Sequence, residues 1–134
     1  MKKLPESELE LMMIIWHAGR PVTRAEIESG LDEDRKLGAT TVLSFLSRLQ
    51  EKGFVKVTRQ GKNNLYEPLV GEREYLKKES GSILKKLYRN SVRNFVAALY
   101  DGDQLSDKDL EELQTFLDEK RAEGRQQNRK GEEE

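Results

Sequence analysis

A mainly α-helical chain with one β-hairpin and a helical module at its C-terminal end is the fold class that three observations predict. Apolar residues recur at helical spacing in three short segments before Gly53. Two strand-like runs, FVKVT and LYEPL, follow directly around a polar tip, and from Glu72 helical spacing resumes with no further strand. Three helices and then a two-stranded hairpin is the order of a winged helix-turn-helix. The expected division is a winged helix over 1–70, a helical dimerisation module over 71–123 and a disordered tail over 124–134, where GRQQNRKGEEE offers no apolar residue.

The first helix is expected from about Glu6 to His17, with Leu9, Met12, Met13 and Trp16 on one stripe and Gly19 and Pro21 ending it. Glu6, Glu8 and Glu10 put acid near its start, where the helix dipole favours it. In PVTRAEIESGL, Thr23 and Glu26 form a capping box ahead of Ile27, and Gly30 is the stop. The third helix lies in GATTVLSFLSRLQEKG. A turn of about 100° per residue gathers Val42, Phe45, Leu46 and Leu49 in one sector and Thr40, Thr41, Ser44, Ser47 and Arg48 in the opposite one. The hairpin tip, RQGKNN, holds Gly61 and two asparagines suited to a turn. Beyond it, Tyr75, Leu76, Ile83, Leu84, Leu87 and Tyr88 form a stripe with Gly81 as a weak point. Asn90 or Ser91 caps a segment bearing Val92, Phe95, Val96, Leu99 and Tyr100, and Ser106 with Asp109 caps one bearing Leu110, Leu113, Phe116 and Leu117.

Composition excludes several classes of function. The 134 residues include no cysteine, which removes disulfide frameworks, thiolate metal sites and cysteine catalysis. His17 is the lone histidine, a poor basis for a metal site and well suited to the end of its helix, and Trp16 reads as a core anchor. No glycine-rich phosphate loop or nucleophile motif occurs, so neither an enzyme nor a bound metal or cofactor is expected. The N-terminal segment resembles a signal peptide only in its two lysines, and the longest apolar run, Leu11 to Trp16, falls far short of the ~18 residues of a membrane span. A cytoplasmic protein without membrane insertion is expected.

The net charge of −1 hides an uneven distribution. From Arg35 to Lys62 there are seven basic residues against one acidic residue, Glu51, while acids dominate from Asp101 to Glu119. Basic charge beside a hydroxyl-lined helix suits double-stranded DNA. Thr and Ser permit close approach and hydrogen-bond either phosphate or base, and an exposed Leu43 beside Thr40 and Ser47 suits a thymine methyl. Arg48, two turns along, suits phosphate, with Lys56, Arg59, Lys62 and Asn63 of the hairpin along the flanking backbone. The C-terminal helices carry more apolar surface than a thin module can bury. Leu84, Leu87, Tyr88, Phe95, Val96, Leu99, Leu113, Phe116 and Leu117 are therefore assigned to a homodimer interface. Lys77, Lys78, Lys85, Lys86, Arg89 and Arg93 form a basic run of the kind that is usually a solvated face. The alternative is a winged-helix adaptor that binds protein without reading DNA sequence.

With LPESELELMMIIW, PVTRAEI, TTVLSFLSRLQEKGFV, NNLYEPLV and LSDKDLEELQTFL in this order and spacing, the chain resembles the penicillinase-repressor family, the BlaI/MecI type, over about residues 4–120. The resemblance implies a dimeric winged-helix repressor on operators of dyad symmetry with TACA/TGTA half-sites. Thr40, Thr41, Leu43 and Ser44 would fall at the base-reading positions and Ser47 and Arg48 nearby. Leu43 departs from the polar residue found there in well-known members. The resemblance also implies β-lactam-resistance genes as targets and induction through a sensor-linked membrane protease that cuts the dimerisation region. Well-known members break at an Asn-Phe bond. Asn94-Phe95 offers such a pair here, while counting back from Leu105-Ser106 places the corresponding bond at Ala98-Leu99, and the Asn-Phe pair also reads as ordinary helix sequence. Copper-responsive relatives use a C-terminal cysteine cluster that this chain lacks.

Overall fold

The computed structural model describes residues 1–133, with side chains described to residue 127. Its elements are α1 (Glu6–Ala18), α2 (Arg24–Ser29), a single 3-10 turn (Glu33–Arg35), α3 (Ala39–Glu51), β1 (Val55–Gln60), β2 (Asn63–Pro68), α4 (Glu72–Tyr88), α5 (Val92–Asp101) and α6 (Asp107–Glu133). The chain divides into two compact units, Met1–Ser82 and Ile83–Glu134.

The first unit is the winged helix. Leu11, Met12 and Ile15 of α1, Ile27 of α2, Val42, Leu46 and Leu49 of α3, and Phe54, Val55 and Tyr66 around the hairpin form its buried core. The capping box is present: Thr23 Oγ1 accepts from the Glu26 N–H at 3.2 Å, and Glu26 Oε1 accepts from the Thr23 N–H at 3.1 Å. Gly30 ends α2 with ordinary right-handed backbone. Its value is space, because a Cβ there would stand 3.0 Å from Ile14 Cγ2. After α3, Gly53 adopts φ +79°, and the Gly53 and Phe54 N–H groups turn back to the Gln50 and Leu49 carbonyls. This Schellman closure drops Phe54 into the core and sends the chain straight into β1.

The hairpin is tighter than the sequence suggests. Gln60 pairs with Asn63, so only Gly61 and Lys62 form the turn, with Gly61 at φ +61° as the first central position of a type II′ turn requires. Asn63 and Asn64 belong to β2. The segment before α2 adds a bridge that periodicity could not reveal: Val22 and Tyr66 exchange both backbone hydrogen bonds, at 3.0 and 2.8 Å.

The structure differs from the expected outline in four places. The buried side of α1 is Glu8, Leu11, Met12 and Ile15, while Leu9, Met13 and Trp16 are only half-buried. The first unit reaches past residue 70 to Ser82, because Tyr75 is a core residue: its hydroxyl accepts from the Leu4 N–H at 3.0 Å and its ring packs on Trp16 and Phe54. α4 runs unbroken through Gly81, and the division between units falls just after it. Finally, α6 continues to Glu133 through the segment expected to be disordered. That segment lacks proline and is rich in Glu, Arg, Gln and Lys, whose straight side chains lose little freedom in a helix. Glu134 lies outside the described residues.

The second unit consists of the end of α4 with α5 and α6. Ser91 caps α5, its Oγ accepting from the Asn94 N–H, and Ser106 with Asp109 forms a reciprocal box at 2.9 and 3.1 Å that starts α6. The Ser106 N–H, and after it the Ser106 hydroxyl, hold the Asp109 carboxyl below its ordinary range.

Candidate nucleic-acid interface

The face of α3 opposite the core is open. Val42, Leu46 and Leu49 are fully buried, while Thr40, Thr41, Leu43, Ser44, Ser47 and Arg48 are all exposed. Phe45, expected in the apolar sector, is half-buried at its edge, and its ring carries the Arg48 guanidinium at 5.7 Å. Arg48 has no carboxylate partner among the described residues. Its charge is held on the helix surface and points outward. Gly38 provides no side-chain cap at the start of α3, so the first amide groups beside Thr40 and Thr41 remain available to an anion.

Two cations, each paired with glutamate of α1, fix the ends of this helix against α1. Lys52, its C-cap residue, donates from Nζ to Glu8 Oε1 at 2.6 Å, and Glu8 is 2% exposed. Arg35, in the turn before α3, pairs with Glu6 and Glu10. The three glutamates that sequence reasoning assigned to the helix dipole therefore also position α3. They remove Arg35 and Lys52 from the basic surface. Spacing alone gave no sign of this, because both pairings join distant segments.

The β-ribbon divides the cations expected along its edge. Successive side chains alternate between faces, which puts Lys56 opposite Glu67, with a 4.0 Å ion pair, and places Arg59 on the other face opposite Asn64. Lys56 therefore shares its charge with Glu67. Arg59 and Lys62 have no carboxylate partner among the described residues, and Arg59 Nε donates to the Gly61 carbonyl at the tip. A polar groove between the start of α2, α3 and the wing is lined by Thr23, Arg24, Leu43, Lys62, Asn63 and Asn64, among others. Thr23, Arg24 and Asn64 were missed from sequence, and only knowledge of how the wing folds back over α2 would have found them. Arg24 is tied to Glu28 at 2.6 Å. Close by, the Arg20 guanidinium and then the Thr23 N–H hold the Glu26 carboxyl at about 2.

His17 and Trp16 have structural partners. His17 Nε2 lies 3.1 Å from Glu72 Oε1, and Trp16 Nε1 donates to the Val70 carbonyl at 2.8 Å.

The model of the family described as penicillinase repressor matches residues 4–119. The chain belongs to the penicillinase-repressor family. It is 30% identical over 122 residues to the penicillinase repressor of Bacillus licheniformis, covering 89% of this chain and 94% of that one. It is 27% identical to the methicillin resistance regulatory protein MecI of Mammaliicoccus sciuri, with 88% and 95% covered. The solution structure of Bacillus licheniformis BlaI in complex with the blaP half-operator is also similar, at 26% identity and a TM-score of 0.47 over 55% of this chain and 89% of that one. The family is one of repressors, not of enzymes.

In this penicillinase-repressor chain, no described side chain of the second unit is buried. Of the residues assigned to a dimer interface, Leu84, Tyr88, Val96, Leu99 and Leu113 are half-buried and Leu87, Phe95, Phe116 and Leu117 exposed, Leu87 at 72%. Tyr88 and Phe95 meet at 5.1 Å between ring centres, and Lys120 lies over Phe116. Asn94-Phe95 and Ala98-Leu99 are both inside α5, the first bond in its opening turn. No helix among the described residues is long and apolar enough to cross a membrane.

Proposed function

We propose that this chain is a cytoplasmic, homodimeric transcriptional repressor that places the exposed face of α3 in the major groove of each half of a dyad-symmetric operator and so blocks a promoter. The observation that carries this reading is the exposed hydroxyl face of α3 with its outward Arg48, beside a polar groove in which Leu43 of α3 meets Lys62 and Asn63 of the wing tip. Thr40, Thr41 and Ser44, in the first turns of α3, read base edges. Ser47, Arg48, Arg59, Lys62 and Asn63 hold phosphates, and Lys56 contributes less because Glu67 offsets it. The apolar surface of α5 and α6 is completed by a second copy, which sets the recognition helices about one or two helical turns apart along the duplex. The names of the relatives favour β-lactam-resistance genes as the targets.

Release by a sensor-linked protease fits the same reading. Cleavage at Asn94-Phe95 or Ala98-Leu99 requires α5 to open first, because both bonds are helical, and cutting there severs the module that pairs the copies.

The test is a mobility-shift titration with dyad duplexes across a salt series. Arg48→Ala is expected to weaken operator and random duplex by a similar factor and to reduce the salt slope by about one. Thr41→Ala is expected to cost more on the operator than on random duplex. Equal losses for Thr41→Ala remove direct readout, and binding that ignores salt, or no binding, favours the protein-interaction adaptor.

A further inference from the structure

One residue on the reading face of α3 differs in kind from its neighbours. Leu43 is 42% exposed, in the second turn of the helix, while its apolar sequence neighbours Val42 and Leu46 are fully buried. Around it the surface is polar: Thr40 and Ser47 flank it on the helix, and Lys62, Asn63 and Asn64 face it across the groove. No other exposed large hydrophobic adjoins it on α3 among the described residues. A lone leucine is far smaller than a protein partner's footprint, which runs to about 800 Å² per side. It matches a single methyl group.

In the major groove a base pair presents donors, acceptors and one apolar group, the C5 methyl of thymine. Leucine can neither donate nor accept. Pressed against the edges of guanine, adenine or cytosine it would strip water from polar atoms and give nothing back. Against thymine it buries methyl on methyl. Resting on the DNA-binding reading above, we propose that Leu43 selects a thymine at one fixed position of each half-site through its 5-methyl group.

The experiment starts from duplexes that the wild-type dimer selects from a random library. Each thymine of a selected duplex is replaced in turn by uracil, which removes the methyl and leaves pairing intact. Wild type is expected to lose about 4-fold in affinity per half-site at one position, the effect of exposing one buried methyl. Leu43→Ala is expected to become indifferent to uracil at that position while keeping its salt slope. Leu43→Gln is expected to select adenine there, since glutamine pairs with the N6/N7 edge. Uracil sensitivity that persists in Leu43→Ala overturns the inference, as does a wild type indifferent to every uracil replacement, while the proposed repressor function stands in both cases. Absence of salt-dependent duplex binding by wild type overturns that function and the inference with it.

Discussion

Glu8 shows what a residue's spacing cannot say about its direction. The run Leu11 to Trp16 is apolar on every side, so its periodicity does not choose which face turns inward. The core chooses a face that includes Glu8, and Lys52, 44 positions away, supplies the compensating charge. We expect Lys52→Ala to destabilise the first unit by about 3 kcal/mol, because it leaves a carboxylate buried without a partner. The double change Glu8→Leu with Lys52→Met is expected to recover most of that loss, and urea unfolding midpoints of the single and double variants measure it. Glu26 gives a pH-dependent expectation. Its carboxyl titrates at about 2 in the folded chain, against an ordinary value of 4.5. A depressed folded pKa contributes stability that is complete above the unfolded value and lost as pH falls through the folded one. The advantage of wild type over Glu26→Gln should therefore be constant above about pH 5 and shrink towards pH 2. Urea unfolding at a series of pH values checks this. By contrast, the Thr23–Glu26 box was legible because its signal lies within four consecutive residues.

Elements were legible where local chemistry decides them. Helical spacing located α1 to α6, and the hydroxyl face of α3 emerged as read, with Thr40, Thr41, Ser44, Ser47 and Arg48 exposed over buried Val42, Leu46 and Leu49. What sequence could not supply was partnership between elements: the two-residue turn, the sorting of Lys56 and Arg59 onto opposite faces, and the Val22–Tyr66 bridge all depend on register. The end of α5 offers a test at this scale. Its C-cap is Gly102 with φ −85°, while the left-handed position falls to Asp103 at φ +58°. The Asp103 and Gln104 N–H groups close the helix on the Tyr100 and Leu99 carbonyls, a Schellman closure without glycine at its left-handed position. Asp103→Gly should therefore stabilise the second unit by roughly 0.5–1 kcal/mol, relieving the side chain of an unfavourable backbone conformation. A thermal unfolding midpoint that falls would mean that the aspartate contributes a contact worth more than the strain.

For the whole molecule, the decisive contrast is between a first unit whose core runs from Leu4 to Tyr75 and a second unit without one buried described side chain. The surplus of apolar residues after Glu72 was visible in sequence, but the reach of the first unit beyond residue 70 to Ser82 was not, because Tyr75 takes its partners from Leu4, Trp16 and Phe54. Leu87→Asp tests the proposed pairing, since this side chain is largely open in the single chain and its replacement disturbs little there. Sedimentation equilibrium is expected to show monomers at concentrations where wild type pairs, with operator affinity falling in parallel. An unchanged dimer would exclude Leu87 from the interface. The fastening of β2 has a further consequence. Val22 holds it in its middle, and the Leu69 N–H, just beyond its end, is held by the Phe54 carbonyl. The ribbon's main chain is thus set in advance, so in the proposed complex the entropy lost on docking would fall on the long side chains of Arg59 and Lys62 rather than on the loop that carries them.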